Sequence, residues 1–328
     1  KISTDGGTSF SNGGSLPNNG NKRVYLSCSP AEPSHVYAAS TDNVYKSTTE
    51  GILFTALSNP NSSGLAFAVS DVNTNNMIYG YVDLFASTDG GINFTQKTEW
   101  ANQNDAYIHA DLRIAECVNG TFYVGTDGYF AKSNDNGNTW TRLNDGTAIR
   151  EFYAVGLGQG NYDLNMAGSQ DNGSSILNEE GWVEWNGGDG MEGLVHPLNK
   201  DWMIGSWQFG TRNFTRNGGL NRNGCGNPDG GSQYAAWEAP FLQNPQNSMQ
   251  VYHFSDTVYS GNNFGRQWQF KSSPNIGIIS EAAIAETDSN VIAVARNNQI
   301  RLTNNGGISW IDIGNGLPGH YARDISFD

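Results

Sequence analysis

The stretch Ser133-Asn134-Asp135-Asn136-Gly137-Asn138-Thr139-Trp140 reads S-x-D-x-G-x-x-W. Copies of it recur along the chain. Residues 3–10 (S-T-D-G-G-T-S-F) and 87–94 (S-T-D-G-G-I-N-F) match it closely. Residues 303–310 (T-N-N-G-G-I-S-W) carry Asn305 where the others have Asp5, Asp89 and Asp135. Each position has a physical use. Asp or Asn accepts hydrogen bonds from backbone N–H groups two residues on, and Ser or Thr does the same more weakly. Gly allows a positive φ without a Cβ clash. The closing Trp or Phe plugs a core beside the turn. The unit is a hairpin turn that satisfies its own backbone and anchors itself with a ring. Nothing in it calls for catalysis.

Counted at the third position, copies fall at Asp5, Thr49, Asp89, Asp135, Glu179, Asn217, Asn263 and Asn305, at intervals of 38 to 46 residues. Those at Thr49, Glu179 and Asn217 are placed by period, not by motif. Repeats of about 40–50 residues with four strand-like runs each are the mark of propeller blades. Residues 110–143 show the order: an inner strand at 110–117, a second at 121–125, a turn at Asp127-Gly128, a third at 129–133, the turn unit, and a fourth at 139–143. The expected fold is an all-β propeller of seven complete four-stranded blades, with a partial eighth made from or flanking the termini. Residues 1–12 read as the last two strands of a blade and 322–328 as the first strand of another. No linker composition divides the chain, so 1–328 is expected to be one domain. Lys1 falls inside a repeat, as in an excerpt of a longer chain. The longest insertion, 218–234, reads as a surface loop.

Composition narrows the function classes. The net charge is −14 and the pI about 4.6, which argues against a nucleic acid partner, because a phosphate backbone wants a basic face. No run of 18 apolar residues is present, so no direct membrane insertion is expected. Cys28, Cys117 and Cys225 form no CxxC and no metal-ligand spacing. Cys28 and Cys117 sit in apolar runs and read as small core residues, whereas Cys225 falls in the 218–234 loop. No cofactor or metal is expected. Ca²⁺ is the cation an Asp/Asn-rich surface would suit, but no loop of the D-x-[DN]-x-[DN]-G type with its closing Glu is present.

The turn units resemble the Asp-box, or BNR, repeats of sialidases, sortilin-type ectodomains and xyloglucan-cleaving propeller glycosidases. A second layer of residues, H-A-D at 109–111, V-G-T-D-G at 124–128, F-Y at 152–153, G-S-Q-D-N-G at 168–173 and G-G-D-G at 187–190, is similar to secreted bacterial BNR propellers of the Bacteroidetes type. That resemblance implies an extracellular or cell-surface protein whose partner is a protein or a glycan. The enzyme signatures are absent. There is no F/Y-R-I-P start of a sialidase. The T-D-I-G-G-A-Y-R-W stretch of the xyloglucan-cleaving enzymes has only T-D-N-V-Y-K-S at 41–47 as its nearest counterpart.

Repeat alignment puts Asp42, Asp83, Asp127, Asp171 and Asp256 at equivalent rim positions, with Gln208 and Asn297 in the remaining blades. His109, Asp111, Asp189 and Glu192 approach the same face from connections between blades. Asp-Gly and Asp-Asn are turn formers, so each Asp can simply cap its own turn. Asp127, Asp171 and Asp189 are the candidates for a carboxylate pair, which glycoside hydrolysis needs at separations of about 5–10 Å. His109 and Asp111, two apart in a strand, would share one face. Trp182, Trp185, Trp202, Trp207, Tyr234 and Trp237 concentrate in blades 4 to 6, and Trp207 is the one expected to meet a ligand. The expectation is a non-catalytic binding or scaffold propeller that uses Trp207, Gln208, His109, Asp111, Asp127, Asp171 and Asp189. The alternative is a glycoside hydrolase acting through Asp127, Asp171 and Asp189.

Overall fold

A computed structural model of the chain describes residues 1–328 apart from 18–21, 42, 61–63, 103–105, 148–149, 160–163, 179–180 and 230–233. The positions assigned to Asp42 and Glu179 lie outside the described residues. The described residues form seven four-stranded antiparallel sheets, each made of four strands consecutive in the chain. That is the strand content and connectivity of a seven-bladed β-propeller. The chain divides into two compact units, Lys1–Ala148 and Ile149–Asp328. The first holds blades 1 to 3 (24–58, 66–96 and 114–142). The second holds blades 4 to 7 (152–186, 190–224, 241–272 and 281–312). Within each unit the first strands of successive blades lie beside one another.

The burial pattern follows from blades stacked face to face. In every blade but the third, the second strand is covered on both faces, so it is buried nearly throughout instead of alternating. Examples are Met77–Gly80 in blade 2, Val251–Phe254 in blade 6 and Ile292–Arg296 in blade 7. Cores form between blades. Tyr37, Ala39 and Val44 of blade 1 pack on Phe67, Met77 and Tyr79 of blade 2. Tyr252 and Phe254 of blade 6 pack on Ile292 and Val294 of blade 7. The fourth strands of blades 2, 3, 5 and 7 are only two residues long. Thr95–Gln96, Thr141–Arg142 and Ile311–Asp312 are exposed two-residue edges, and short polar edges discourage pairing with another chain.

The turn unit closes the same circuit wherever the motif holds. In 133–140, Ser133 Oγ donates to Asp135 Oδ1 at 2.8 Å and accepts from the Gly137 N–H at 2.8 Å. Asp135 Oδ1 also accepts from the Thr139 N–H at 2.9 Å. The units at Asp5, Asp89 and Asn305 repeat these bonds. The third-position oxygen therefore serves a backbone N–H four residues on, not two. The Ser or Thr hydroxyl takes the amide of the Gly. The degenerate units at Thr49 and Asn217 keep the circuit with a hydroxyl and an amide oxygen. At Asn263 it is replaced by a short turn in which Asn263 and Phe264 both have positive φ. Phe94, Trp140 and Trp310 pack against cores, whereas Phe10 is 60% exposed.

Several expectations change. Residues 1–12 form one isolated bridge, Ile2 to Ser11, around the Asp5 turn. In 322–328 no strand is assigned: the Ala322 N–H reaches Asn297 O, but one bond is not a ladder. Cys28 is exposed and Cys225, only 4% exposed, is buried between blades 5 and 6, the reverse of the expectation. The reason is that 218–234 is not all surface loop. Asn223–Gly224 pairs with the third strand of blade 5, and this carries Cys225 inward. The first strand of blade 3 begins at Ile114, not at residue 110, because Asp111 has φ +60 and breaks the extended run.

Blades 4 and 5 touch backbone to backbone. A Cβ added to Gly168 would run into Met191 O and come within 2.5 Å of Gly190 C. Gly168 has no positive φ, so the obstacle is steric alone. Gly168→Ala is expected to cost about 3 kcal/mol, the upper range for overpacking, because the neighbour is main chain. An unchanged urea midpoint would show that the two backbones can part at this point without cost.

Candidate functional site

The loops between second and third strands carry the predicted rim residues. Asp83, Asp127, Asp171, Gln208, Asp256 and Asn297 all lie in these loops. Asp171 and Asn297 adopt φ +55, so at these two positions the turn itself favours Asp or Asn.

In the first unit, His109, Asp111 and Asp127 gather around Arg113. The guanidinium donates to both oxygens of Asp127, from Nε and Nη2, each at 2.6 Å. This fork holds the Asp127 carboxyl below its usual range, with His109 adding a smaller push the same way. His109 packs edge-on to Tyr129 and closes over Gly128, where a Cβ would strike the imidazole. With Asp111 outside any strand, the shared-face argument for a His109–Asp111 pair does not apply. The cluster reads as a clamp on the Asp127 loop, with Asp127 occupied by a permanent cation.

In the second unit, Asp189 joins two loops. Its Oδ1 accepts from the Asp171 N–H at 2.7 Å and its Oδ2 accepts from Gln208 Nε2. Trp207, the last residue of Met203–Trp207, donates its indole N–H to Gly187 O. Trp207, Gln208, Asp171 and Asp189 are thus brought together, as a brace between blades 4 and 5. The loop has a further consequence. Phe209 follows Gln208 with φ +59, a strained conformation for a bulky residue that the surroundings must impose. Its N–H donates to Trp237 O at 2.9 Å and its ring meets the Trp237 indole edge-on, with centroids 5.3 Å apart. The Trp237 Nε1–H points at the Tyr153 hydroxyl, 3.4 Å away. Trp237 is therefore fixed from three sides and still 45% exposed.

Trp237 and Tyr153 line a cavity of about 1150 Å³ within the second unit. Its other chemistry-bearing lining residues are Glu192, Glu238, Glu281, Glu286, Asp324 and Arg323. Glu192, Glu238 and Glu281 are partly buried, and their carboxyls interact. Burial first, then the charges of Glu238 and Glu281, push Glu192 up to about 7. Glu281 also rises to about 7, by burial and then the charges of Asp324 and Glu238, against a smaller opposing effect of Arg323. Burial raises Glu238 as well. Three carboxyls crowded with one cation lack compensation.

Sequence reading reached Glu192 but not Glu238 or Glu281. The signal was available: the three lie in or just before the first strands of blades 5, 6 and 7, at spacings of 46 and 43 residues. This is the same period as the turn units. Of the other aromatics, Trp185 is buried in the core between blades 4 and 5, and Trp202 packs beside Phe264 under Arg216. Trp182 and Tyr234 are exposed but do not line the cavity.

The chain matches no protein-family model and no curated protein. Among solved structures it is similar to a GH74 enzyme of Niastella koreensis, at 16% identity and TM-score 0.31 over 92% of this chain and 60% of that one. It is also similar to the GH74 xyloglucanase of Xanthomonas campestris (12%, 0.31, 87% and 59%) and to YCF48 bound to D1 peptide (11%, 0.31, 91% and 83%). The chain spans about three-fifths of the length of the two GH74 proteins.

Proposed function

We propose that this chain is a non-catalytic Asp-box propeller that binds a glycan outside the cell, in the cavity of its second unit. The observation that carries the reading is Trp237, held at the wall by Phe209 and Tyr153 yet half exposed, facing a space lined with carboxyls. An immobilised indole offers a flat apolar surface to a sugar ring at little entropic cost. Carboxyls accept hydrogen bonds from ring hydroxyls. The hydrolase alternative draws less support. Asp127 is neutralised by Arg113, and both oxygens of Asp189 are engaged by Asp171 and Gln208. Neither is free to move a proton.

Trp237→Ala is expected to weaken binding on a glycan array while leaving the far-ultraviolet circular dichroism unchanged. The expected loss is about tenfold or more, as for truncation of a central aromatic anchor. Chromatography of the incubated oligosaccharides should show no new reducing ends. Full retention of binding by Trp237→Ala would remove the cavity as the site.

A further inference from the structure

Resting on the glycan reading, we propose that the cavity takes an oligosaccharide with free amino groups, its ammonium groups paired with Glu192, Glu238 and Glu281 while one ring stacks at Trp237. Charge carries the argument. The lining brings five acidic residues, Glu192, Glu238, Glu281, Glu286 and Asp324, against a single cation, Arg323. Glu192 is partly buried and its carboxyl makes no hydrogen bond to any described residue, so it lines the space as an unanswered acceptor. A neutral sugar would leave that repulsion in place. A ligand with several ammonium groups relieves it and restores the ionised form of each carboxyl.

Other cations fit less well. Among the described residues no group of three acidic, His or Cys side chains is arranged to hold a metal ion. A single lysine side chain would occupy a small part of about 1150 Å³ and leave most of the aromatic wall bare. An amino sugar oligomer presents rings and charges together, at the spacing of successive residues.

The test is isothermal titration of the whole chain with the hexamers of glucosamine, N-acetylglucosamine and glucose, and with hexalysine, at low salt. Near pH 7 the glucosamine hexamer is expected to bind about tenfold or more tighter than the other three, the scale of a partly desolvated ion pair. Its affinity should fall at pH 5, where Glu192 and Glu281 hold protons and the amine is still charged. Glu281→Gln should weaken the glucosamine hexamer by a larger factor than the glucose hexamer, with Glu238→Gln as the second variant if the first does not fold. Equal binding of the glucose and glucosamine hexamers overturns the amine proposal and leaves the glycan reading standing. Binding of hexalysine as tight as that of the glucosamine hexamer overturns it in favour of a basic peptide. No binding of any sugar removes both.

Discussion

Asp229→Ala is expected to destabilise the second unit by about 3–5 kcal/mol, the cost of leaving a buried charge without its partner. Arg212 is 2% exposed, and its guanidinium makes no hydrogen bond among the described residues. It lies over the rings of Phe241 and Trp268, at 4.9 and 4.7 Å from their centroids. The countercharge is Asp229, which also accepts from the Nε2–H of fully buried His253, 2.6 Å away. Burial, and then the charge of Arg212, lower His253 to about 4, so the imidazole is neutral at physiological pH and cannot replace the lost carboxylate. The control is the double variant Arg212→Met with Asp229→Asn. It removes both charges and should recover most of the loss, because a buried pair exchanged for uncharged groups is near neutral. Urea unfolding of the three proteins decides the matter. A double variant as unstable as Asp229→Ala would show that packing, not charge, is at stake.

Glu192→Gln should have the opposite sign, and only above the acid range. An unfolded glutamate ionises near 4.5, while Glu192 in the fold does not do so until about 7. Between those values the folded state binds more protons than the unfolded one. Stability therefore falls as pH rises through that window, and the whole penalty is present above pH 7. Removing the carboxyl should make the protein more stable at pH 8 by up to roughly 3 kcal/mol and leave it unchanged at pH 4. Thermal melts at the two pH values check this. Equal melting of variant and native protein at pH 8 would mean that Glu192 already has a countercharge. A carboxyl kept at a cost to stability is what a binding site requires and a structural core does not.

The architecture was legible in the sequence because its determinants are local. The hydroxyl, the Asp or Asn and the Gly of each turn unit bond within eight residues, so the motif carries the turn and its period carries the blade. Each strand pairs with its chain neighbour. Asp127, Asp171, Gln208 and Asn297 fell on the predicted loops for the same reason. What the sequence left open was set by contacts distant in the chain. Cys225 packs inside against Phe241, Val251 and Phe264 of blade 6, and Asp189 spans two blades to bond Asp171 and Gln208.

Trp207, the aromatic favoured from the sequence, spends its indole N–H on Gly187. Trp237 takes its place because Phe209 and Tyr153, 28 and 84 residues away, fix it. Glu192, Glu238 and Glu281 are unremarkable as single residues in or just before three separate strands. Only when the first strands of blades 5, 6 and 7 lie side by side do their charges meet in one space. The sequence alone determined the turn, the strand order and the seven complete blades, because short-range hydrogen bonds and hydrophobic period specify them, and it left the pairing of the two ends open. The tertiary structure alone decided which side chains face a common cavity and how their charges shift, because these depend on distances and burial that no run of neighbouring residues encodes.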